Sequence, residues 1–168
     1  EINIRLETLG EKFKALMCPF GKNRHRYYDL ANEVGTENAN KLLRRYMSGT
    51  DVFTFSLIDA TKATKKFYKD FGCIPEDFDF LAIHQANKMI IDNVVKKIKF
   101  PQEKVNITLD RYGNTNGVSI PLSICDYFEH HPLCGTKKIL TLGFGVGLSI
   151  GVASLQLDNS RVLPIIKS

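Results

Sequence analysis

The chain of 168 residues is long enough for one domain with one hydrophobic core. Hydrophobic residues make up 43% of it and charged residues 24%, as in ordinary globular proteins, and the lack of any run of about 18 apolar residues excludes a membrane-spanning helix. The net charge of +5 favours acidic partners without choosing among nucleic acid, anionic lipid, phosphorylated cofactors and acidic proteins.

The amino-terminal part predicts one strand followed by a long excursion. Ile2–Thr8 alternates apolar and polar residues, which is the pattern of a strand. Residues 10–46 are polar, basic and weakly periodic, so we expect a covering segment or an interface, with one short helix near residues 38–47. Because the strand pattern starts directly after Glu1, we interpret the chain as a fragment or a processed piece.

Three helices are predicted further along the chain. Apolar residues at alternating steps of three and four predict helices over residues 51–71 and 87–99. Asp51 is the expected N-cap of the first of these. A third helix is predicted over residues 119–129, because Ser119 can cap its start.

Short apolar runs predict four further strands, over residues 78–83, 105–109, 138–142 and 148–157. With the helices between them, the order along the chain is βαβαβαββ. This alternation predicts an α/β fold with a mixed, mostly parallel five-stranded sheet. The last two strands lie close enough in sequence to form a hairpin.

Polar or flexible residues follow three of these strands. His84 follows one strand, Asn114 follows the next, and a glycine-rich stretch over residues 143–147 follows the third. Taken singly, such a histidine is usually structural, an asparagine beside glycine usually makes a turn, and the glycines favour a tight hairpin. Because ligands in open α/β sheets bind beyond the carboxyl ends of the strands, the co-occurrence of all three predicts a single crevice that carries chemistry.

The cysteines favour no crosslink and no metal site. The four are Cys18, Cys73, Cys125 and Cys134, and they form neither a CxxC pair nor a metal-ligand spacing. The composition is also not that of a disulfide-stapled secreted domain. We therefore expect free thiols in a reducing compartment and a cytoplasmic protein.

Four segments carry a resemblance to a known family. They read MSGTDVF at residues 47–53, HQAN at 84–87, TLDRYGNTNGVSIP at 108–121 and GFGVGLSIG at 143–151. In order and spacing they resemble the carboxy-terminal half of β-ketoacyl-acyl carrier protein synthase III, a thiolase-fold condensing enzyme. The combination of HQAN with GNT is specific, whereas the glycine stretch alone is not. The resemblance is best over residues 47–157 and implies that residues 1–168 form one thiolase-like half, a single domain.

The resemblance implies part of a Cys–His–Asn active site. It places the family histidine on His84 and the family asparagine on Asn114, while no cysteine of this chain lies in a matching motif. The nucleophile is therefore expected on the amino-terminal half of the enzyme, and this chain is expected to be inactive alone. Decarboxylation of a malonyl thioester builds negative charge on the thioester oxygen, and two neutral N–H donors can stabilise that charge. We expect His84 to donate from one ring nitrogen while the other fixes its tautomer.

Backbone N–H groups of Gly145, Val146 and Gly147 are the expected oxyanion loop for the acyl-cysteine step, since a backbone donor does not require glycine at the middle position. The family often carries an aromatic residue where this chain has Ile150. This departure changes a side chain and leaves the backbone N–H donors of residues 145–147 in place.

The start of the helix after HQAN is the expected contact for the carrier protein or the cofactor. Family members often have a basic residue at the position of Met89, and Lys88 beside it can substitute. Asn87 either contacts the ligand or caps the helix, and both roles stay open.

The implied reaction is a decarboxylative Claisen condensation of an acyl thioester with malonyl-acyl carrier protein in fatty acid or related biosynthesis. Thioesters of coenzyme A or of carrier phosphopantetheine are the substrates, with no permanently bound cofactor. The implied partners are the amino-terminal half, acyl carrier protein, acyl-coenzyme A and, in the full-length enzyme, a second copy. No nucleic acid is expected.

Three alternatives remain. A specialised acyl transfer, or a condensation without decarboxylation, in a secondary-metabolite or surface-polysaccharide pathway could use the same residues. A degenerate, inactive homologue is disfavoured by the intact motifs. A basic binding module for RNA or an acidic protein could use Tyr27, Tyr28 and residues 24–26, although no nucleic-acid motif accompanies them.

Overall fold

The computed structural model of this chain describes residues 2–18, 27–131, 133–157 and 162–166. It contains two compact units: a larger one over Glu1–Glu7, Phe53–Phe144 and Ile150–Ser168, and a smaller one over Thr8–Val52 and Gly145–Ser149. The strands and helices are, in chain order, β1 (Ile2–Thr8), β2 (Leu16–Met17), α1 (Tyr27–Val34), α2 (Thr36–Leu42), β3 (Tyr46–Met47), α3 (Gly49–Phe55), α4 (Thr61–Phe71), β4 (Phe80–Ile83), α5 (Lys88–Ile98), α6 (Leu109–Tyr112), α7 (Ser119–His130), β5 (Lys137–Gly145) and β6 (Ser149–Leu157). That these residues form a single domain stays a prediction.

The main sheet has four strands in the order β1-β6-β5-β4. Its central feature is the parallel pair β4 and β5, in which Phe80 lies opposite Ile139. β5 and β6 are adjacent and separated only by residues 146–148. Because a parallel connection needs a crossover of a dozen or more residues, β5 and β6 form the predicted antiparallel hairpin.

The register of β1 against β6 shows that these two strands are also antiparallel. Asn3 donates to Ser154, and the hydroxyl of Thr8 bonds that of Ser149. The partner number on β6 falls as the number on β1 rises, which requires opposite directions. β1, β5 and β4 therefore run one way and β6 the other, so the predicted α/β class with a mixed sheet is confirmed.

The predicted strand over residues 105–109 is wrong. Among the described residues it contributes a single parallel bridge, between Leu81 and Val105, so the sheet has four strands and not five. The cause is a side chain that takes the place of a strand partner. The amide oxygen of Gln85 accepts the backbone N–H groups of Thr108 and Leu109, and the chain then turns into α6.

Helix α7 covers one face of the sheet over β4 and β5. Phe80, Ala82 and Ile139 form a buried cluster with Phe128 of α7. Tyr127 stacks flat on Phe80 with ring centroids 4.2 Å apart. Aromatic and aliphatic burial of this kind is the main stabilising contribution to such a layer.

The apolar side of β1 is exposed. Ile2, Ile4 and Leu6 are 63%, 57% and 77% exposed, respectively, while the polar residues between them are partly buried. We call these three residues the β1 apolar face. A strand at the edge of a sheet normally turns its apolar residues inward, so this arrangement leaves an unusual hydrophobic strip on the surface.

The helix predicted over residues 51–71 is present in three parts: α3, a π-helical turn at Ser56–Ala60, and α4. Asp51 is not its N-cap, because the helix already begins at Gly49. Instead the hydroxyl of Ser48 lies 3.4 Å from the backbone nitrogen of Asp51 and accepts its N–H.

Every helix within the described ranges is too short or too polar to cross a lipid bilayer.

The smaller unit differs from the prediction of one short helix near residues 38–47. Among its described residues are the helices α1 and α2, the start of α3, and a short antiparallel pair of β2 with β3. Gly35 separates the helices with a left-handed φ of 80°, and Leu30 on α1 and Ala39 on α2 are buried. Of the residues offered for nucleic-acid contact, 24–26 lie outside the described residues, and Tyr28 is exposed on α1.

Replacing Ile139 by Ala should lower the free energy of unfolding by about 2–5 kcal/mol, because this fully buried side chain would leave a cavity in the core. The matched control is Ile4→Ala on the exposed β1 apolar face, which should cost less than about 1 kcal/mol. Urea titration followed by circular dichroism measures both. Equal losses in the two variants would contradict this division between core and surface.

Candidate functional site

His84 stands at the carboxyl end of β4, where the parallel pairing with β5 continues for one more residue. Its backbone N–H donates to the carbonyl of Leu142 at 2.8 Å. The half-buried ring meets Phe144 of β5 edge to face, with centroids 5.5 Å apart. The sheet and Phe144 together restrict the orientation of the imidazole.

Ser119 holds the other side of the His84 ring. Its hydroxyl oxygen lies 2.7 Å from Nδ1 of His84 and 2.7 Å from the backbone carbonyl of Asn116. The expectation that Ser119 caps α7 is wrong, because it is the first residue inside the helix and makes no side-chain cap. It is 1% exposed and faces His84 instead.

Asn114 is fixed by the same turn. Its Oδ1 accepts the backbone N–H of Asn116 at 2.9 Å, and its Nδ2 lies 3.5 Å from the carbonyl oxygen of Ala86. Because Oδ1 is occupied by an N–H donor, the amide NH₂ is the group that Asn114 presents outward. The side chain is otherwise exposed.

A single turn therefore connects the two predicted site residues. The N–H of Asn116 holds Asn114, and its carbonyl holds Ser119, which in turn contacts His84. Asn116 has a positive φ of 54°, which asparagine tolerates better than most residues. The structure thus brings the segments after β4 and after residue 109 together at one end of the sheet.

Gln85 anchors this arrangement from inside. Its side chain is fully buried, and its amide nitrogen donates to the carbonyls of Ile83 and Asn106. Its oxygen accepts the N–H groups of Thr108 and Leu109. One amide thus satisfies four backbone groups and ties the chain after His84 to the segment that leads to Asn114.

A second buried anchor lies at Asp126 of α7. Its carboxylate accepts from both terminal nitrogens of Arg111, at 2.5 and 2.8 Å, and from the side chain of Asn106 at 3.0 Å. Burial acts to raise the pKa of this carboxyl, but the bonds from Arg111 and Asn106 outweigh it and hold the pKa below its usual range. The charged network fastens α6 to α7 and so supports the turn at Asn114.

Burial also sets the charge state of His84. It lowers the pKa of the ring below the ordinary value of 6.5, while the backbone carbonyl of Asn116 opposes this shift. The imidazole of the free site is therefore mainly neutral at pH 7. Its chemistry then depends on which nitrogen carries the single proton.

The start of α5 shows one of the two roles left open for Asn87. Its Oδ1 caps the helix by accepting the N–H of Ile90 at 2.8 Å. Lys88 forms an exposed ion pair with Asp92 one turn later, at 2.7 Å. Exposed pairs of this kind are weak, so the ammonium group stays accessible to an anionic ligand.

The glycine-rich loop belongs to the smaller unit. Within that unit the carbonyl of Leu148 accepts the N–H of Leu9, and the side chain of Val146 is 67% exposed. Gly147 has a φ of 141°, a conformation that a side chain would strain. The role of Gly145, Val146 and Gly147 as oxyanion donors stays a prediction.

Three residues of the site escape the sequence reasoning: Gln85, Ser119 and Phe144. Gln85 lies inside the HQAN segment, but nothing in that segment indicates that its side chain bonds the backbone of residues 106–109. Ser119 has the ordinary pattern of a helix cap, and Phe144 has that of a strand residue. Only the three-dimensional contacts distinguish their roles.

Comparison with known proteins identifies relatives of this chain. Residues 69–157 match the family model for the carboxy-terminal part of 3-oxoacyl-[acyl-carrier-protein] synthase III. The β-ketoacyl-[acyl-carrier-protein] synthase III of Clostridium novyi is 40% identical over 121 residues, covering 72% of this chain and 36% of that protein. The Enterococcus faecalis enzyme of the same name is 31% identical over 158 residues, which cover 93% of this chain and 46% of the relative.

A solved structure agrees in fold. The β-ketoacyl-[acyl carrier protein] synthase III of Thermus thermophilus superposes with a TM-score of 0.75 at 29% identity, over 94% of this chain and 46% of that one. This chain therefore spans less than half the length of these relatives.

Replacing His84 by Gln should flatten part of the pH dependence of stability. Since the pKa of His84 is lowered in the folded protein, the unfolded chain takes up this proton first. The contribution of neutral His84 to stability is thus complete above pH 6.5 and is lost as the pH falls through the lower folded value. Urea unfolding midpoints across this range measure the effect.

For this comparison His130→Gln, at an exposed position of α7, controls for losing a histidine as such. If the stability of His84→Gln falls with decreasing pH as steeply as that of the wild type, His84 is not buried in its neutral form.

Replacing Gln85 by Ala should destabilise the chain strongly. Each buried backbone group that loses its partner costs about 1–3 kcal/mol, and the N–H groups of Thr108 and Leu109 both lose theirs. Gln102→Ala, at an exposed position, is the control and should be nearly neutral. Chemical denaturation measures both, and similar stabilities would contradict the anchoring role of Gln85.

Proposed function

This chain belongs to the β-ketoacyl-acyl carrier protein synthase III family, and we propose that it supplies the carboxy-terminal half of an enzyme that condenses an acyl thioester with malonyl-acyl carrier protein. The observation that carries the proposal is the hydrogen-bonded turn joining His84 and Asn114 inside the segment that matches the family. The reaction releases carbon dioxide and serves fatty acid biosynthesis or a related pathway.

His84 and Asn114 are proposed to stabilise the enolate. When the malonyl group loses carbon dioxide, the electron pair of the broken C–C bond moves into the thioester and places charge on its oxygen. The NH₂ of Asn114 faces outward because its Oδ1 is occupied, so it can donate to that oxygen. Fixed donors need no reorganisation during the reaction, and losing one typically costs on the order of 10²–10³ in rate.

The nucleophilic cysteine is proposed to come from the amino-terminal half. Within the described residues, Cys73, Cys125 and Cys134 form no disulfide, and Cys18 lies 3.2 Å from the carbonyl oxygen of Leu43. Burial raises the pKa of the Cys73 thiol, which disfavours the thiolate needed for attack. Free thiols also support a reducing compartment, and we place the enzyme in the cytoplasm.

The β1 apolar face supports the proposal that another polypeptide covers this surface. Three large aliphatic side chains on one edge strand are more exposed than a stable monomer normally tolerates. Because the relatives are more than twice as long as the aligned part, we assign this surface to the amino-terminal half. The full-length enzyme is proposed to be a homodimer.

The positive net charge of the chain supports the proposal that its substrates are acidic or phosphorylated. A net charge of +5 favours an acidic acyl carrier protein and the phosphates of coenzyme A. The accessible ammonium group of Lys88, at the start of α5, is the proposed contact, while Asn87 is committed to capping that helix. Backbone N–H groups of Gly145, Val146 and Gly147 are proposed as oxyanion donors, and no permanently bound cofactor is needed.

In the full-length enzyme, His84→Ala and Asn114→Ala should each reduce release of carbon dioxide from malonyl-acyl carrier protein by on the order of 10²–10³. The control is His130→Ala, at an exposed site away from the turn, which should keep wild-type activity. Radiolabelled carbon dioxide release measures decarboxylation directly.

Unchanged decarboxylation in both variants would overturn these roles. Condensation by the 168-residue chain alone would overturn the assignment of the nucleophile to the other half, because it would require one of the four cysteines present here.

A further inference from the structure

The hydrogen bonds around Ser119 determine where His84 keeps its proton. A serine hydroxyl has one hydrogen to donate and lone pairs to accept with. The carbonyl of Asn116, 2.7 Å from the hydroxyl oxygen, can only accept, so the hydrogen of Ser119 is directed there. Nδ1 of His84 lies 2.7 Å from the same oxygen and must then be the donor of that bond.

We propose that Ser119 is a positioning residue, which holds the proton of neutral His84 on Nδ1 and leaves Nε2 as a proton acceptor. The environment suits this role, because Ser119 is 1% exposed and water does not compete for its hydroxyl. The backbone of α7 fixes its position as the first helical residue. The edge-to-face contact with Phe144 keeps the ring from turning away.

The consequence for the reaction rests on the proposed function. Neutral His84 in this tautomer cannot donate from Nε2, contrary to the expectation from the family resemblance that it donates as a neutral ring. A cysteine thiol presented to Nε2 transfers its S–H proton to that nitrogen and keeps the electron pair as a thiolate. The departing coenzyme A thiolate takes its proton from solvent, so His84 keeps its own and donates from Nε2 to the enolate oxygen.

The test reads the tautomer directly in the 168-residue chain labelled with ¹⁵N-histidine. Long-range ¹H–¹⁵N spectra are recorded about two pH units above the ordinary histidine pKa, where the rings are neutral. The chain has four histidines, and the signals that disappear in His84→Gln assign this one. We expect the proton on Nδ1 in the wild type.

Ser119→Ala should shift the tautomer ratio toward Nε2–H by roughly 2- to 10-fold, the equivalent of one neutral hydrogen bond. Ser119→Thr keeps a hydroxyl and should restore the ratio. Ser123→Ala is the matched control, because Ser123 is a buried serine one turn later on α7 whose hydroxyl bonds Asn106 and not His84. It should leave the ratio unchanged.

An Nε2–H tautomer in the wild type overturns the proposal, and so does an unchanged ratio in Ser119→Ala. The wild-type spectrum decides even if Ser119→Ala fails to fold. None of these readings depends on enzymatic activity, so the proposal about Ser119 can fail while the proposed condensing function stands, and the reverse also holds.

Discussion

The parallel pairing of β4 with β5 is the constraint on which the site depends. All four residues of β4 are fully buried, and strand residues alternate between the two faces, so both faces of this strand are covered. The backbone has no freedom to tilt or slip, because a shift of one residue would exchange the sides of Phe80 and Leu81. His84 follows directly, and its N–H still bonds β5. The packed core therefore also restricts the position of the His84 imidazole.

Two side chains extend this rigidity where regular structure stops. Gln85 satisfies backbone groups that a fifth strand would otherwise pair, and Ser119 bridges the start of α7 to the ring. A fifth strand would have continued straight past the crevice. A side-chain anchor instead lets the chain turn at residue 109 and return with Asn114 beside the segment after His84.

These features explain what could and could not be predicted from the sequence. The helix after HQAN and the buried strand before it have strong periodicity or uniform apolarity, and both were found nearly where predicted. Residues 105–109 are apolar enough for a strand, but their pairing depends on Gln85, which no local pattern reveals. Ser119 fits a capping pattern equally well whether it bonds its own helix or His84. The excursion over residues 10–46 has weak periodicity, so helices α1 and α2 gave little local signal.

The two polar members of the site are not equivalent donors. Asn114 offers its NH₂ in every state, because the Asn116 N–H occupies its oxygen and an amide does not titrate in the relevant range. His84 is neutral, partly desolvated and held through Nδ1, so Nε2 must gain a proton before it can donate. Burial opposes that protonation, and a neighbouring thiolate would offset the cost by pairing with the imidazolium. Under the proposed roles, enolate stabilisation by His84 would depend on prior activation of a nucleophile, whereas Asn114 would act independently of it.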